Sequence, residues 1–185
     1  MAFTFEGQLI TESWGIADEL TLLRQMGNHQ VFPLDILSLL LEDDTIASDA
    51  GRFRTFLATV MGALFDYLLD HPRLTRIILW EQAEAWQTYT KIMAQFDTAD
   101  VDQFKTLFAR ARSTGLLRSD VDPLIQLIMA EQMCWSYLAS IPLYQTLLPG
   151  EDLSSAAALA RAREFIVAFV VGGLMGDPET TKPGQ

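Results

Sequence analysis

The sequence predicts an all-α fold, and three observations predict it. Apolar residues recur at three- and four-residue spacings over most of the chain, strict alternation of a half-buried strand is nearly absent, and Asp, Pro and Gly fall where helices start and stop. The first clear helix opens at Asp49, a good N-cap residue. It carries Phe53, Phe56, Leu57, Val60, Met61, Leu64, Tyr67 and Leu68 on one side, with Arg52, Thr55, Thr59, Asp66 and Asp70 opposite. It should stop near His71, because Pro72 disfavours an α conformation in the residue before it and suits the first turn of a new helix.

The second helix is expected from Pro72 to about Gln95, with Leu74, Ile77, Ile78, Ala85, Tyr89, Ile92 and Phe96 on one stripe, before a break at Asp97 to Asp100. Asp100 with Gln103 resembles a capping box for the third helix, which carries Val101, Phe104, Leu107, Phe108 and Ala111 and ends at Gly115. Asp122 and Pro123 open the fourth. Leu124, Leu127, Ile128, Cys134, Trp135 and Leu138 lie on one side of it and Ile125, Met129, Met133 and Tyr137 on another, so it should be buried from more than one direction. Pro142 is expected to end or kink it, and Pro149-Gly150 marks a loop. The last helix runs from about Ser154 to Met175 and becomes wholly apolar from Phe165. Before Asp49, Leu9, Ile16, Leu20 and Leu23 fit a helix across Gly15, and Pro33 to Leu41 fits a short one. The expected organisation is an acidic segment over residues 1–48, a helical body over 49–176 and a polar tail over 177–185.

Charge is distributed unevenly between these parts. The first 51 residues hold nine carboxylates (Glu6, Glu12, Asp18, Glu19, Asp35, Glu42, Asp43, Asp44, Asp49) against one full-time cation, Arg24, and so carry most of the net charge of −11. The other 134 residues are nearly balanced, with 12 Lys or Arg against 15 Asp or Glu. Neither part offers the basic face that phosphate contacts need. With 185 residues, half of them hydrophobic, the chain is long enough for one domain with a sizeable core. The single cysteine, Cys134, excludes an internal disulfide framework and suits a reducing compartment. No basic leader follows Met1, and the longest wholly apolar run, Phe165 to Met175, falls short of a bilayer span, so a cytoplasmic protein is expected.

Two strings together resemble a known family. His71-Pro72-Arg73-Leu74-Thr75-Arg76-Ile77-Ile78-Leu79-Trp80-Glu81, and further on Gly115-Leu116-Leu117-Arg118-Ser119-Asp120-Val121-Asp122-Pro123, resemble the C-terminal regulatory domain of TetR-family transcriptional regulators, over about residues 49–175. The resemblance implies that the last two long helices of each subunit form a dimeric four-helix bundle, through roughly Pro123 to Ile141 and Ser154 to Met175, and that the earlier helices enclose a small-molecule pocket. The implied interface residues are Met129, Met133, Tyr137, Ala158, Ala162, Phe165, Phe169 and Gly173. The implied pocket residues are Phe56, Val60, Trp80, Glu81, Trp86, Tyr89, Glu131 and Trp135. Aliphatics beside small residues on the last helix would leave a lone subunit wet, which agrees with a dimer. At the other end the chain departs from the family. The basic helix-turn-helix, with its Gly-Val-Ser-type turn and Tyr-x-His-Phe-like string, is not apparent in residues 1–48. No direct nucleic-acid binding is expected of the chain as it stands, whether such a segment is missing by truncation or was never present.

Glu81 and Glu131 fall inside otherwise apolar stripes, where a carboxylate is costly unless paired or protonated. One reading is an internal pair with Arg52, Arg54 or Arg76, or a bond capping another helix. The other is an acidic group in a ligand pocket, where Trp80, Trp86, Tyr89, Trp135 and Tyr137 offer π faces to a lipophilic cation. Met61, Met93, Met129, Met133, Phe56, Phe96 and Phe108 read as core, with an adaptable pocket as the alternative. His71 reads as a cap and is far in sequence from His29, so no metal centre is expected, and Cys134 reads as a buried small hydrophobe. Ser136 and Ser140 lack a nucleophile elbow, Glu42-Asp43-Asp44 lacks calcium-loop spacing, and no acid–base pair has usable spacing. The sequence thus points to a non-enzymatic, homodimeric sensor of a small hydrophobic or cationic ligand, with no cofactor and no membrane partner. The alternative is a non-sensing interaction protein that partners a full-length regulator.

Overall fold

Five α-helices and one turn of 3-10 helix make up the described part of the chain, residues 45–87, 90–91, 99–117 and 122–175 of this computed structural model. The fold is all-α, as the periodicity predicts. The expected N-terminal helices, the stripe residues Tyr89, Ile92 and Phe96, and the tail lie outside the described residues. The 3-10 turn, Ile46–Ser48, leads into α1 (Ala50–Asp70), then α2 (Pro72–Ala83), α3 (Ala99–Ser113), α4 (Pro123–Leu147) and α5 (Ala156–Leu174).

Helix α1 is the centre, packed against the 3-10 turn, α2, α4 and α5. Extended Asp49 accepts the Arg52 amide at 2.8 Å, pairing one of the amides that a helix start leaves without a partner. The predicted stripe is buried from Phe53 to Leu68, joined by Phe65, and only Tyr67 in it is half-buried. Each such side chain contributes about 1.5–3 kcal/mol on burial, so this one helix supplies much of the apolar driving force. At its end the His71 amide reaches the Tyr67 carbonyl at 3.0 Å, and His71 Nδ1 lies 2.8 Å from the same oxygen. A carbonyl only accepts, so this ring nitrogen is the donor and His71 caps α1. Its ring stacks on Tyr67 at 4.1 Å, and Pro72, having no amide, starts α2 at once.

Helix α2 stops at Ala83 rather than near Gln95, because the backbone turns left-handed at Ala85 (φ 55°) and Trp86 (φ 62°). The Trp86 amide bonds the Glu81 carbonyl at 2.7 Å and the Ala85 amide bonds that of Gln82 at 3.2 Å, the two bonds of a Schellman turn. Ala85, expected on the apolar stripe, is therefore exposed. Helix α3 ends in the same motif with its usual residue: Gly115 (φ 77°) bonds Arg112 at 3.0 Å and Leu116 bonds Ala111 at 2.9 Å. Its start differs from expectation, since Ala99 is already helical and Asp100 is inside the helix rather than its cap. Phe104 and Phe108 pack on Phe56 and Phe53 at 6.4 and 6.0 Å, and Thr114 Oγ1 donates to the Ala47 carbonyl at 2.9 Å, tying α3 to the 3-10 turn.

Helix α4 opens as predicted, with Asp122 accepting the Leu124 amide at 2.8 Å ahead of Pro123. Pro142 does not end it; the helix continues to Leu147. Of the expected burial from several directions, the single subunit supplies only part. Within the subunit α4 buries Pro123, Ala130, Cys134 and Trp135, while Ile125, Ile128, Met129, Leu143 and Leu147 are exposed. Gln145 holds the following loop, its amide donating to the Glu151 carbonyl and its Oε1 accepting the Leu153 amide at 2.9 Å. Ser155 then caps α5 by accepting the Ala158 amide. The inner face of α5, with Ile166, Val170, Val171 and Leu174, packs on α1, and Met175 pairs with Leu117 in a single antiparallel bridge. Arg163 crosses to Asp66 on α1 in a two-pronged pair at 2.8 and 2.9 Å. Gly62 makes room for it, since a Cβ there would collide with the guanidinium.

Candidate functional site

Two features of α4 stand on different faces of the helix. On the inner side, Glu131 and Trp135 are one turn apart and therefore on the same face, above which the left-handed turn after α2 brings Trp86. The indoles of Trp86 and Trp135 are 6.1 Å apart and tilted by 41°. Trp135 is buried, and Trp86 and Glu131 are half-buried. Burial pushes the Glu131 carboxyl from an ordinary 4.5 up to about 7. It makes no hydrogen bond or ion pair to any described residue, so the Arg pairing envisaged for it is not seen. Cys134, three residues on, is fully buried; burial and, second, the Glu131 charge push its thiol up to about 12, which leaves it unreactive at neutral pH.

The other pocket candidates are dispersed. Phe56 belongs to the aromatic cluster of α1 and α3, 6.2 Å from Phe53, and Val60 is buried in the same helix. Glu81 is 1% exposed, and its carbonyl anchors the turn that carries Trp86. Trp80 is 37% exposed and thus faces outward, and Tyr89 lies outside the described residues. The turn at Ala85 and Trp86 escapes sequence reading because no Gly marks it.

On the outer side of α4, Ile125, Met129, Leu143 and Leu147 form one exposed face, with Ser136 and Ala139 between its apolar ends. Phe165 and Phe169 of α5 are also exposed, 66% and 58%, and their rings stack at 6.2 Å beside Ala168 and Gly172. Of the interface candidates, Met129, Phe165, Phe169 and Gly173 are exposed, and Met133, Tyr137 and Ala162 are half-buried. Tyr137 packs between Phe65 and Tyr144 at 6.3 and 5.9 Å. Ala158 is only 4% exposed, turned into its own subunit, and so has almost no surface left for a partner. Among the described residues no helix is long and apolar enough to cross a membrane, and no three His, Cys, Asp or Glu side chains gather as a metal site would need.

A helical bundle built on a central α1, with a half-buried acid on one side of α4 and an apolar surface on the other, has the form of a regulatory domain. The family model described as tetracyclin repressor-like, C-terminal domain, matches residues 54–170, and the chain belongs to that family. No curated protein and no solved structure matches it.

Proposed function

We propose that this chain is the small-molecule-sensing, dimerising domain of a TetR-type transcriptional regulator acting in the cytoplasm, without catalytic activity, and that its residues 1–51 make no direct DNA contact. The observation that carries the reading is the two-sided character of α4 in a chain of this family. Its inner side holds Glu131 and Trp135 against Trp86, and its outer side holds apolar residues that water meets in a lone subunit. Exposed apolar surface of this extent favours a second copy of the chain, with Ile125, Met129, Leu143, Phe165 and Phe169 at the seam. A ligand between α2 and α4 would then act through one rigid element on the subunit arrangement. It does so only if it binds one arrangement more tightly than the other. Candidate pocket residues are Glu131, Trp135 and Trp86. The absence of direct DNA contact rests on charge: nine carboxylates and one Arg in residues 1–51 would repel a phosphate backbone.

A thermal-shift screen of the full chain with hydrophobic and cationic small molecules tests sensing. The reading predicts concentration-dependent stabilisation, about 2.7 kcal/mol at a hundred times Kd for a ligand that binds only the folded state. A flat response across a broad library would instead favour a non-sensing dimer partner of a full-length regulator.

A further inference from the structure

We propose that residues 84–86 form a conformational switch: with Trp86 seated on Trp135 the chain breaks after α2, and with Trp86 withdrawn it runs from Pro72 through Lys91 as one helix. The inference goes beyond sensing and holds whether or not a ligand binds. Local sequence favours the unbroken form. No Gly or Pro stands between Pro72 and Gly115, and Leu74, Ile77, Ile78 and Ala85 keep helical spacing across the break. Ala, the residue at the turning point, is the strongest helix former and a poor left-handed residue. Yet Ala85 and Trp86 are both left-handed, at φ 55° and 62°. Two consecutive residues with side chains hold that conformation only when their surroundings impose it.

Backbone hydrogen bonding differs little between the two forms, so packing decides. In the broken form the Ala85 and Trp86 amides bond the carbonyls of Gln82 and Glu81 at 3.2 and 2.7 Å. In an unbroken helix the same two amides would simply exchange these acceptors, Ala85 taking Glu81 and Trp86 taking Gln82. The bonds on either side already have helical spacing: the Glu84 amide reaches the Trp80 carbonyl at 3.0 Å, and the Thr90 amide reaches that of Trp86 at 3.0 Å. What the broken form adds is a tertiary contact. Trp86 packs on the core with its indole 6.1 Å from that of Trp135, which is 4% exposed, while Ala85 is left in water. A straight α2 would bring Ala85 onto the inward face with buried Ile78 and Glu81 and carry Trp86 about 100° round the helix from it, off the face turned to the core. One aromatic contact is thus set against two relaxed residues, the balance that a two-state element needs. A group that takes the place of Trp86 on Trp135 selects the unbroken helix, so occupancy of that one indole is read out in the course of the chain beyond α2.

The test is a spin-label distance measurement on the full chain, labelled at Arg73→Cys and Lys91→Cys and diluted with unlabelled chain so that only distances within one subunit are read. Both positions are exposed, and Cys134 is fully buried and takes no label. An unbroken helix sets the two Cα atoms about 27 Å apart, and a break shortens that distance. The chain with residues 84–86 unchanged should give the shorter distance. Trp86→Ala, which removes the contact, should bring in a population near the full helical length. Ala85→Val should do the same with Trp86 intact, because a β-branched side chain is a steric outlier in the left-handed region. Its position is exposed, so it decides the matter should Trp86→Ala not fold. Adding Ala85→Gly to Trp86→Ala should return the short distance, which a loss of structure would not do. An unchanged short distance in both Trp86→Ala and Ala85→Val would overturn the switch, as would the full helical length in the chain with residues 84–86 unchanged.

Discussion

At the scale of single residues, two turns of the same kind contain different amino acids, and the difference is measurable. Gly115 and Ala85 both occupy the left-handed position of a Schellman turn, but only Gly does so without cost. Nothing lies within 4 Å of a Cβ built on Gly115, so the penalty for Gly115→Ala is conformational: a loss of about 1 kcal/mol is expected in urea unfolding. Ala85→Gly should gain about 0.5–1 kcal/mol, relief of left-handed strain outweighing the extra freedom of the unfolded chain. A loss there would mean that Trp86 and Trp135, not the φ angle, decide the turn. Glu131 gives a pH signature. Its folded value, about 7, lies above the ordinary 4.5, so the unfolded state gives up the proton more readily and stability falls as pH rises through that window. Glu131→Gln should therefore stabilise the protein by about 1–3 kcal/mol at pH 8 and by nothing below pH 4. A pH-independent effect of the substitution would contradict the assignment.

At the scale of elements, α1 and α5 are joined by the Asp66–Arg163 pair laid over Gly62, and magnitudes decide what that arrangement is worth. An exposed pair contributes at most about 1 kcal/mol, and Ala over Gly inside a helix gains about as much. Gly62→Ala should displace the flexible guanidinium and leave stability within about 0.5 kcal/mol of wild type by chemical denaturation. A loss beyond about 2 kcal/mol would show the guanidinium to be locked in place. The elements also show what the sequence made legible. Helix α1, the His71-Pro72 step, the Gly115 stop and the Asp122-Pro123 start follow from periodicity and capping chemistry, because each depends on residues adjacent in the chain. The stop of α2 was not legible, since its turn is made by Ala85 and Trp86, which have no local preference for it. Pro142 was legible only as a breaker that could end or kink the helix, and of the two the end is excluded, since the helix runs on to Leu147.

At the scale of the whole molecule, the apolar character of α4 was legible but its destination was not. Sequence gives the number of apolar faces a helix has, whereas the fold decides which of them the subunit itself covers. Here α1 takes the inner face and, among the described residues, none takes the outer one, so Ile128, expected beside Cys134 and Trp135, is 44% exposed. The candidate site divided in the same way. Glu131 and Trp135 were legible as a pair one turn apart, whereas the placement of Trp86 against them depends on a turn between elements, and Phe56 belongs to the aromatic core. The outer face of α4 and α5 supports the central proposal, a dimer that a ligand can re-arrange. Sedimentation equilibrium of the full chain at micromolar concentration tests it most directly. The account predicts a species of twice the 20.7 kDa subunit mass, reduced to a folded monomer by Phe165→Asp with Met129→Asp. A wild-type chain that sediments as a single subunit, with Phe165 and Met129 in water, would contradict it.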